Sequence, residues 1–218
     1  MKRVYISQYS NKNLIEYLSA SGYLPQLIPP GGRTYAAVDA HPDLYLCKMG
    51  VTRHARIFQG DPQELGAAYP DNIRFNAVCL DNYLIHHIKH TSPALLREAQ
   101  ETGLALIHVR QGYTKCSCVV VDGHSLITFD EGICRTLRSY PDIDVLKIRP
   151  GFVRLNGLAY GFLGGASGRV GHEVIFNGDL SAHPDFEAIR QFIQDRGLRI
   201  QYFPDYPLTD IGSILADF

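Results

Sequence analysis

The sequence predicts an α/β fold made of a repeated unit of strand, strand, helix and strand. Two stretches of the chain are alike and start 49 residues apart: GYTKCSCVVVDGHSLITFD at residues 112–130 and GFLGGASGRVGHEVIFNGD at residues 161–179. Aligned without gaps, they bring Gly112 onto Gly161 and Asp130 onto Asp179. Internal similarity at a fixed spacing is the signature of repeat architectures. We therefore expect one supersecondary unit to recur along the chain.

Helix-start and helix-stop signals support this order of elements. Ser92 followed by Pro93 is a typical helix start, and Gly103 is a typical helix end. Similar signals and the spacing of apolar residues predict further helices at residues 11–21, 131–139 and 183–196.

Strands are predicted on either side of these helices. The Asp122-Gly123 pair favours a tight hairpin, and a second hairpin is expected around Asp81-Asn82. The predicted strands are residues 23–28, 44–48, 56–59, 77–80, 83–86, 104–109, 118–121, 126–129, 145–148 and 198–203. The unit is clear twice, and it occurs five times if the first helix and the C-terminal strand complete one copy.

Composition excludes several classes of function. With a net charge of −1 and a pI near 6.7, the 218-residue chain lacks the basic surface that nucleic acid or an anionic membrane requires. It has no apolar run that could span a bilayer and no secretory leader. Five cysteines at irregular spacings indicate reduced thiols in a cytoplasmic protein. We expect a single domain over residues 1–218, and the sequence leaves open whether it forms a homo-oligomer.

About five units of strand, strand, helix and strand in a ring resemble the pentein superfamily. This superfamily contains enzymes that modify guanidino groups, such as arginine deiminases, amidinotransferases and dimethylarginine hydrolases. The resemblance covers most of the chain and rests on the repeat pattern. It implies a closed α/β propeller with a central channel and no cofactor. It also implies a hydrolase or transferase acting on a small amino-acid-like or guanidino substrate.

The resemblance further implies which residues reach the central site. They are those at the start of the first strand and the end of the second strand of each unit. The family's chemistry requires a thiolate nucleophile, a histidine and carboxylates, and its cysteine lies near the C-terminus. The matching segment here is LTDIGS at residues 208–213, which has no cysteine. The positions that fit are His41, Asp43, Lys115, Cys116, Ser117, Asp130, Glu131, Gly164, Gly165, Ser167, Asp179 and His183.

Cys116 is the candidate for a relocated nucleophile, with His41, Asp130 and Glu131 as the other catalytic candidates. Cys116 is expected to begin a strand, and the neighbouring Lys115 favours its thiolate form. The alternative is an inert core cysteine, which is what we expect of the other four: Cys47, Cys79, Cys118 and Cys134.

The remaining candidates are expected to bind substrate, and each has a structural alternative. His41 and Asp43 either alternate on one strand face or lie in a turn, and Asp130 and Asp179 either hold a cation or cap a helix. Lys115 and the backbone amides of the glycine turn are expected to face an anionic group, so a zwitterionic ligand fits. The substrate-binding candidates are Asp43, Lys115, Ser117, Gly164, Gly165, Ser167, Asp179 and His183.

Two other functions compete with this one. The absence of the C-terminal cysteine favours a propeller that binds a metabolite or a protein without catalysis. His86, His87 and His90 suggest a metal-dependent hydrolase, because histidine is a common zinc ligand. The alternative for these histidines is a half-buried cluster without metal, and no metal ligand is assigned.

Overall fold

Short strands and helices alternate along the whole of the described chain. The structure, a computed structural model, describes residues 2–51 and 55–217. In chain order its strands and helices are β1 (Lys2–Ser7), α1 (Lys12–Ala20), β2 (Tyr23–Ile28), β3 (Leu46–Met49), β4 (Arg56–Gln59), β5 (Val78–Cys79), β6 (Tyr83–His86), α2 (Pro93–Glu101), β7 (Ala105–His108), α3 (Thr114–Ser117), β8 (Cys118–Asp122), β9 (Ser125–Thr128), α4 (Glu131–Leu137), β10 (Asp144–Lys147), β11 (Ser167–Val170), β12 (Glu173–Phe176), α5 (Phe186–Gln194), β13 (Arg199–Gln201) and β14 (Leu215–Ala216).

The strands form five small sheets, so the chain is a mixed α/β protein. Four sheets are built alike: an antiparallel pair is followed by a helix and by a third strand parallel to the second. They are β14–β1–β2, β5–β6–β7, β8–β9–β10 and β11–β12–β13, and the fifth sheet is the pair β3–β4. The predicted unit of strand, strand, helix and strand is therefore present in each of the four.

The repeat seen in the sequence corresponds to two of these sheets. β8 begins at Cys118 and β11 begins at Ser167, which is the 49-residue spacing of the two similar stretches. In both sheets the first strand pairs antiparallel with the second, as Cys118 with Thr128 and Ser167 with Phe176. The Asp122-Gly123 turn joins β8 to β9, as its composition predicts.

Local signals also set the helix ends. The Ser92 hydroxyl accepts from the Ala94 amide at 3.2 Å and caps α2, and Gly103 follows α2 with a φ of 77° that suits glycine. The Asn11 side chain caps α1 in the same way, at 2.9 Å from the Asn13 amide. Among the described residues, no helix combines the length and apolar character needed to cross a bilayer.

The first strands of the antiparallel pairs, β3, β5, β8, β11 and β14, are here called the inner strands. β3 contacts β5, and β11 contacts both β8 and β14. Gly168 permits the approach of β11 to β14, because a side chain there would collide with the Ile214 carbonyl. All five inner strands contribute residues to one narrow cavity of about 20 Å³.

Apolar side chains join neighbouring sheets, as the cluster beneath α5 shows. Ile189 and Ile193 of α5 share this cluster with Phe176 of their own sheet and with Val119 and Ile127 of the preceding sheet. All five side chains are fully buried. α5 therefore covers its own sheet, and this sheet packs against the preceding one through apolar side chains.

Candidate functional site

A group of polar side chains is buried where the inner strands begin. Its members come from segments far apart in the chain, and each segment directly precedes β3, β5, β8 or β14. Buried polar groups are costly unless they are paired, so such a cluster marks a candidate functional site. The members are His41, Asp43, Asn76, Lys115, Cys116, Asp210 and Ser213, and each is at most 8 % exposed.

His41 and Asp43 lie in a turn and not on a strand face. Pro42–Leu44 is a 3-10 turn that begins after His41, so the expectation of strand alternation is wrong and the turn alternative is correct. The turn rests on the C-terminal segment, because the Asp43 amide donates to the Gly212 carbonyl at 3.1 Å. A side chain at position 212 would collide with His41, so Gly212 is required for this approach.

Asp43 is the centre of the cluster. Its Oδ2 accepts from Cys116 Sγ at 3.0 Å and from Ser213 Oγ at 2.6 Å. Its Oδ1 is buried and has no hydrogen-bond partner in the part of the chain that the structure describes. A buried carboxylate oxygen without a donor carries a desolvation penalty, which a cationic or N–H-bearing ligand would remove.

Lys115 supplies the opposite charge. Its Nζ donates to Ser213 Oγ at 3.0 Å, to Gly164 O at 3.3 Å and to Cys118 O at 3.4 Å. The Ser213 hydroxyl thus links the ammonium to the Asp43 carboxylate. All three N–H groups of Lys115 are used within the protein, so the amine does not present a free donor to an anionic substrate.

Asn76 fixes the position of the thiol. Its Oδ1 accepts from the Lys115 amide at 2.8 Å and from the Cys116 amide at 3.3 Å. Its Nδ2 lies 3.3 Å from Cys116 Sγ. Cys116 itself lies in α3, a single helical turn before β8, and so the expectation that it begins a strand is wrong.

Burial shifts the protonation of the cluster. Burial, together with the charges of Asp43 and Asp210, holds the pKa of the Cys116 thiol well above its ordinary value. Burial also raises the pKa of Asp43 and lowers the pKa of Lys115, and in each case the partner's charge opposes the shift. The thiol is therefore neutral at rest and donates a hydrogen bond to the Asp43 carboxylate.

His41 and Asp210 connect the cluster to a cavity of about 240 Å³. His41 Nδ1 lies 3.8 Å from Asp210 Oδ1, and both side chains line the cavity. Burial lowers the pKa of His41 to about 4 and raises the pKa of Asp210 to about 6. The segments that carry Ala36, Ala37 and Leu155 complete the walls.

The family of the chain can be recognised from its sequence. The model for a family of unknown function, DUF6873, matches residues 53–215, which is more than half of the chain. The chain belongs to the DUF6873 family. The matched segment includes Lys115, Cys116 and Ser213 and begins after His41 and Asp43. No curated protein and no solved structure matches the chain.

The expected site residues of this DUF6873 protein divide into two groups by position. Those before the inner strands converge, whereas those at the ends of the second strands lie elsewhere. Asp130 caps α4 through the Ile133 amide at 2.8 Å and also accepts from Gln111 at 3.0 Å. Glu131 is half-exposed and pairs with Lys147.

Asp179 and His183 likewise do not join the cluster. The Asp179 carboxylate caps a 3-10 turn by accepting from the Ser181 amide at 2.9 Å. His183 Nδ1 accepts from the Asp185 amide at 3.0 Å, and its ring contacts Phe152. Capping explains both aspartates, because first-turn amides need acceptors and a carboxylate is a strong one.

The glycine turn supports the cluster through carbonyls and not amides. Gly164 O accepts from Lys115 and Ser213, whereas the Gly165 amide donates to the Cys116 carbonyl at 2.8 Å. The expectation that these two amides face an anion is therefore wrong for Gly165. Ser167 Oγ lies 3.4 Å from Gly164 O, and Ser117 Oγ is buried without a hydrogen-bond partner among the residues described.

One group of side chains could hold a metal ion. Three ligand atoms lie within 4.8 Å of one another, one each from His41, Asp43 and Cys116. Such a mixed set of nitrogen, oxygen and sulfur ligands suits a cation such as Zn²⁺. His86 is not available as a ligand, because its ring nitrogens bond Thr91 Oγ1 at 2.8 Å and Gly112 O at 2.9 Å. Among the described residues, the His86, His87 and His90 set does not form a ligand group.

Three functional candidates were missed from the sequence: Asn76, Asp210 and Ser213. Asp210 and Ser213 lie in the LTDIGS segment that was noted for its lack of a cysteine. Ser213 has a φ of 74°, a left-handed conformation that is uncommon for a residue with a side chain. The sequence feature that could have identified Asp210 and Ser213 is the position of this segment, immediately before the apolar strand β14.

Proposed function

We propose that this protein is a hydrolase or transferase that forms a covalent adduct between Cys116 and a small guanidino or amino-acid-like substrate. The observation that carries the proposal is the thiol of Cys116, which lies 3.0 Å from a buried carboxylate that has a second, unpartnered oxygen. A planar cation with several N–H donors fits such an oxygen. The pentein-like ring is part of the same proposal, and the cavity shared by all five inner strands supports it.

His41 links the cavity to the thiol. Its side chain lines the cavity together with Asp210, and one of its ring nitrogens lies within 4.8 Å of Cys116 Sγ and of an Asp43 carboxylate oxygen. A cationic substrate in the cavity would lie against Asp210 and His41, which line it. Asp43 and Cys116 do not line the cavity and are at most 3 % exposed, so the proposal requires the His41 side chain to move aside. The positive charge of the substrate would then lower the pKa of the thiol, which burial and the charges of Asp43 and Asp210 otherwise raise.

The reaction follows from these contacts. The Cys116 proton passes to Asp43, and the sulfur forms a bond to the central carbon of the guanidino group. The bond from that carbon to one nitrogen breaks, and the leaving amine takes the proton that Asp43 received from the thiol, either directly or through the neutral ring of His41. The oxygen of a water molecule then bonds to the carbon, the carbon–sulfur bond breaks, and a proton of that water returns to the sulfur. In a transferase, an acceptor amine replaces that water.

Removal of the thiol tests this proposal. We expect Cys116→Ala to abolish release of ammonia or amine from arginine analogues, citrulline and related amino acids, with the melting temperature nearly unchanged. Cys118→Ala is the matched control, because Cys118 is also buried and lies two positions away without contacting Asp43. Turnover that survives in Cys116→Ala, or that is lost equally in the control, would refute a nucleophilic Cys116.

Binding without catalysis is the second candidate function. It is favoured by the 3 % exposure of Cys116 and by the raised pKa of its thiol, because reactive cysteines are normally exposed thiolates. In this case the same compounds raise the melting temperature of the wild-type protein, and none of them is converted. Asp210→Asn then weakens the binding of cationic compounds, whereas Cys116→Ala does not.

A further inference from the structure

We propose that the narrow cavity shared by the inner strands binds a small anion between Lys48 and Arg169. This cavity is distinct from the one at His41 and Asp210. Its wall contains three basic side chains, Lys48 on β3, Arg169 on β11 and Lys115, together with apolar residues of the other inner strands.

The basic groups bond neutral carbonyls and not acids. Lys48 Nζ donates to Arg169 O at 3.1 Å. The guanidinium of Arg169 donates from Nε to Gly171 O and from Nη1 to Val121 O, both at 2.6 Å. Carbonyls orient the cations, but they do not neutralise their charge.

The acids that attract these two cations are already paired with other cations. Asp217, which attracts Lys48, lies 3.0 Å from Arg3, and Asp122, which attracts Arg169, lies 3.6 Å from Arg196. The charge of Lys115 is shared with Asp43 through Ser213. Residues 52–54, which follow the cavity residues Gly50 and Val51, are Thr, Arg and His and add no acid.

Within residues 2–51 and 55–217, Lys48 and Arg169 therefore line a confined space without an acid that pairs with either of them. Burial and the positive charge of Arg169 lower the pKa of Lys48 to about 7, which shows how unfavourable the charged amine is there. An anion in the cavity would remove this repulsion and would accept hydrogen bonds from both side chains. The volume of about 20 Å³ admits one atom or one oxygen of an oxyanion. The expected ligand is therefore chloride, or a phosphate, sulfate or carboxylate group that enters by its end.

The test is thermal unfolding of the purified protein at pH 6, where the Lys48 amine is charged, with sodium chloride, phosphate or sulfate. Ionic strength is kept constant with the salt of a bulky sulfonate buffer. We expect a saturable rise of the melting temperature with at least one of the three anions. Chloride alone would identify a monatomic ligand, and phosphate or sulfate would identify an oxyanion.

Variants locate the response in the cavity. Lys48→Met and Arg169→Gln should each abolish the rise, whereas Lys12→Met should keep it. Lys12 is the matched control because its side chain is 80 % exposed and pairs with Glu16 outside the cavity. The proposal is overturned if the wild-type melting temperature does not respond to any of the anions. It is also overturned if the folded Lys48→Met or Arg169→Gln protein responds as the wild type does.

Discussion

The pairing of Asp43 with Lys115 across the Ser213 hydroxyl predicts a large, non-additive effect of neutralising either residue. Asp43→Asn removes the carboxylate to which the buried Lys115 ammonium is linked through Ser213, and Lys115→Met removes the ammonium linked to the buried Asp43 carboxylate. Removing one partner of a buried pair costs about 3–5 kcal/mol. For a chain of this size that corresponds to a fall in melting temperature of roughly 6–20 °C.

The double variant Asp43→Asn with Lys115→Met removes both charges together. Its loss of stability should therefore be smaller than the sum of the two single losses by about 2 kcal/mol or more. The free energy of unfolding of all four proteins would be measured by urea denaturation at pH 7. If the loss of stability in the double variant equals the sum of the two single losses to within about 0.5 kcal/mol, the two charges do not interact, and the reasoning about this pair is refuted.

Two further predictions concern protonation. The pKa of His41 is lowered to about 4 and that of Asp210 is raised to about 6, so between pH 4 and 6 the unfolded chain protonates His41 while the folded chain holds a proton on Asp210. Their effects on stability oppose each other, and they are read relative to the wild type because His86, whose pKa burial lowers to about 3, responds in the same window. In urea titrations the free energy of unfolding of Asp210→Asn should rise more steeply with pH than that of the wild type, by up to about 3 kcal/mol, whereas that of His41→Gln should rise less steeply or fall. Slopes equal to that of the wild type would contradict the shifts. Because Cys116 is buried and the pKa of its thiol is raised, a thiol reagent should label it far more slowly in the folded protein than after unfolding. Asp43→Asn should accelerate this labelling, and an unchanged rate would show that the Asp43 charge does not control the thiol.

Much of the fold follows from local sequence signals. The Ser92 cap, the stop at Gly103 and the Asp122-Gly123 turn each act over a few residues, so their structural meaning is readable without the rest of the chain. The 49-residue repeat adds the order of strands and helices, because similar stretches at a fixed spacing form the same supersecondary unit.

Local sequence signals predicted only part of the site. Position before an inner strand correctly brought His41, Asp43 and Cys116 together, but the ends of the second strands carry capping residues such as Asp130. Ser213 was missed, because its importance comes from contacts with residues more than ninety positions away. Neither apolar spacing nor turn composition reports on such contacts.

The pairing of β14 with β1 has a consequence for folding. Val4 pairs with Ala216, so β1 receives its antiparallel neighbour from a strand that is far away along the sequence. We expect such a pairing to form late, because the entropy cost of closing a long loop must be met before its contacts stabilise the chain. Asp210 and Ser213 directly precede β14. The hydroxyl that links the Asp43 carboxylate to the Lys115 ammonium is therefore put in place only when β14 docks against β1.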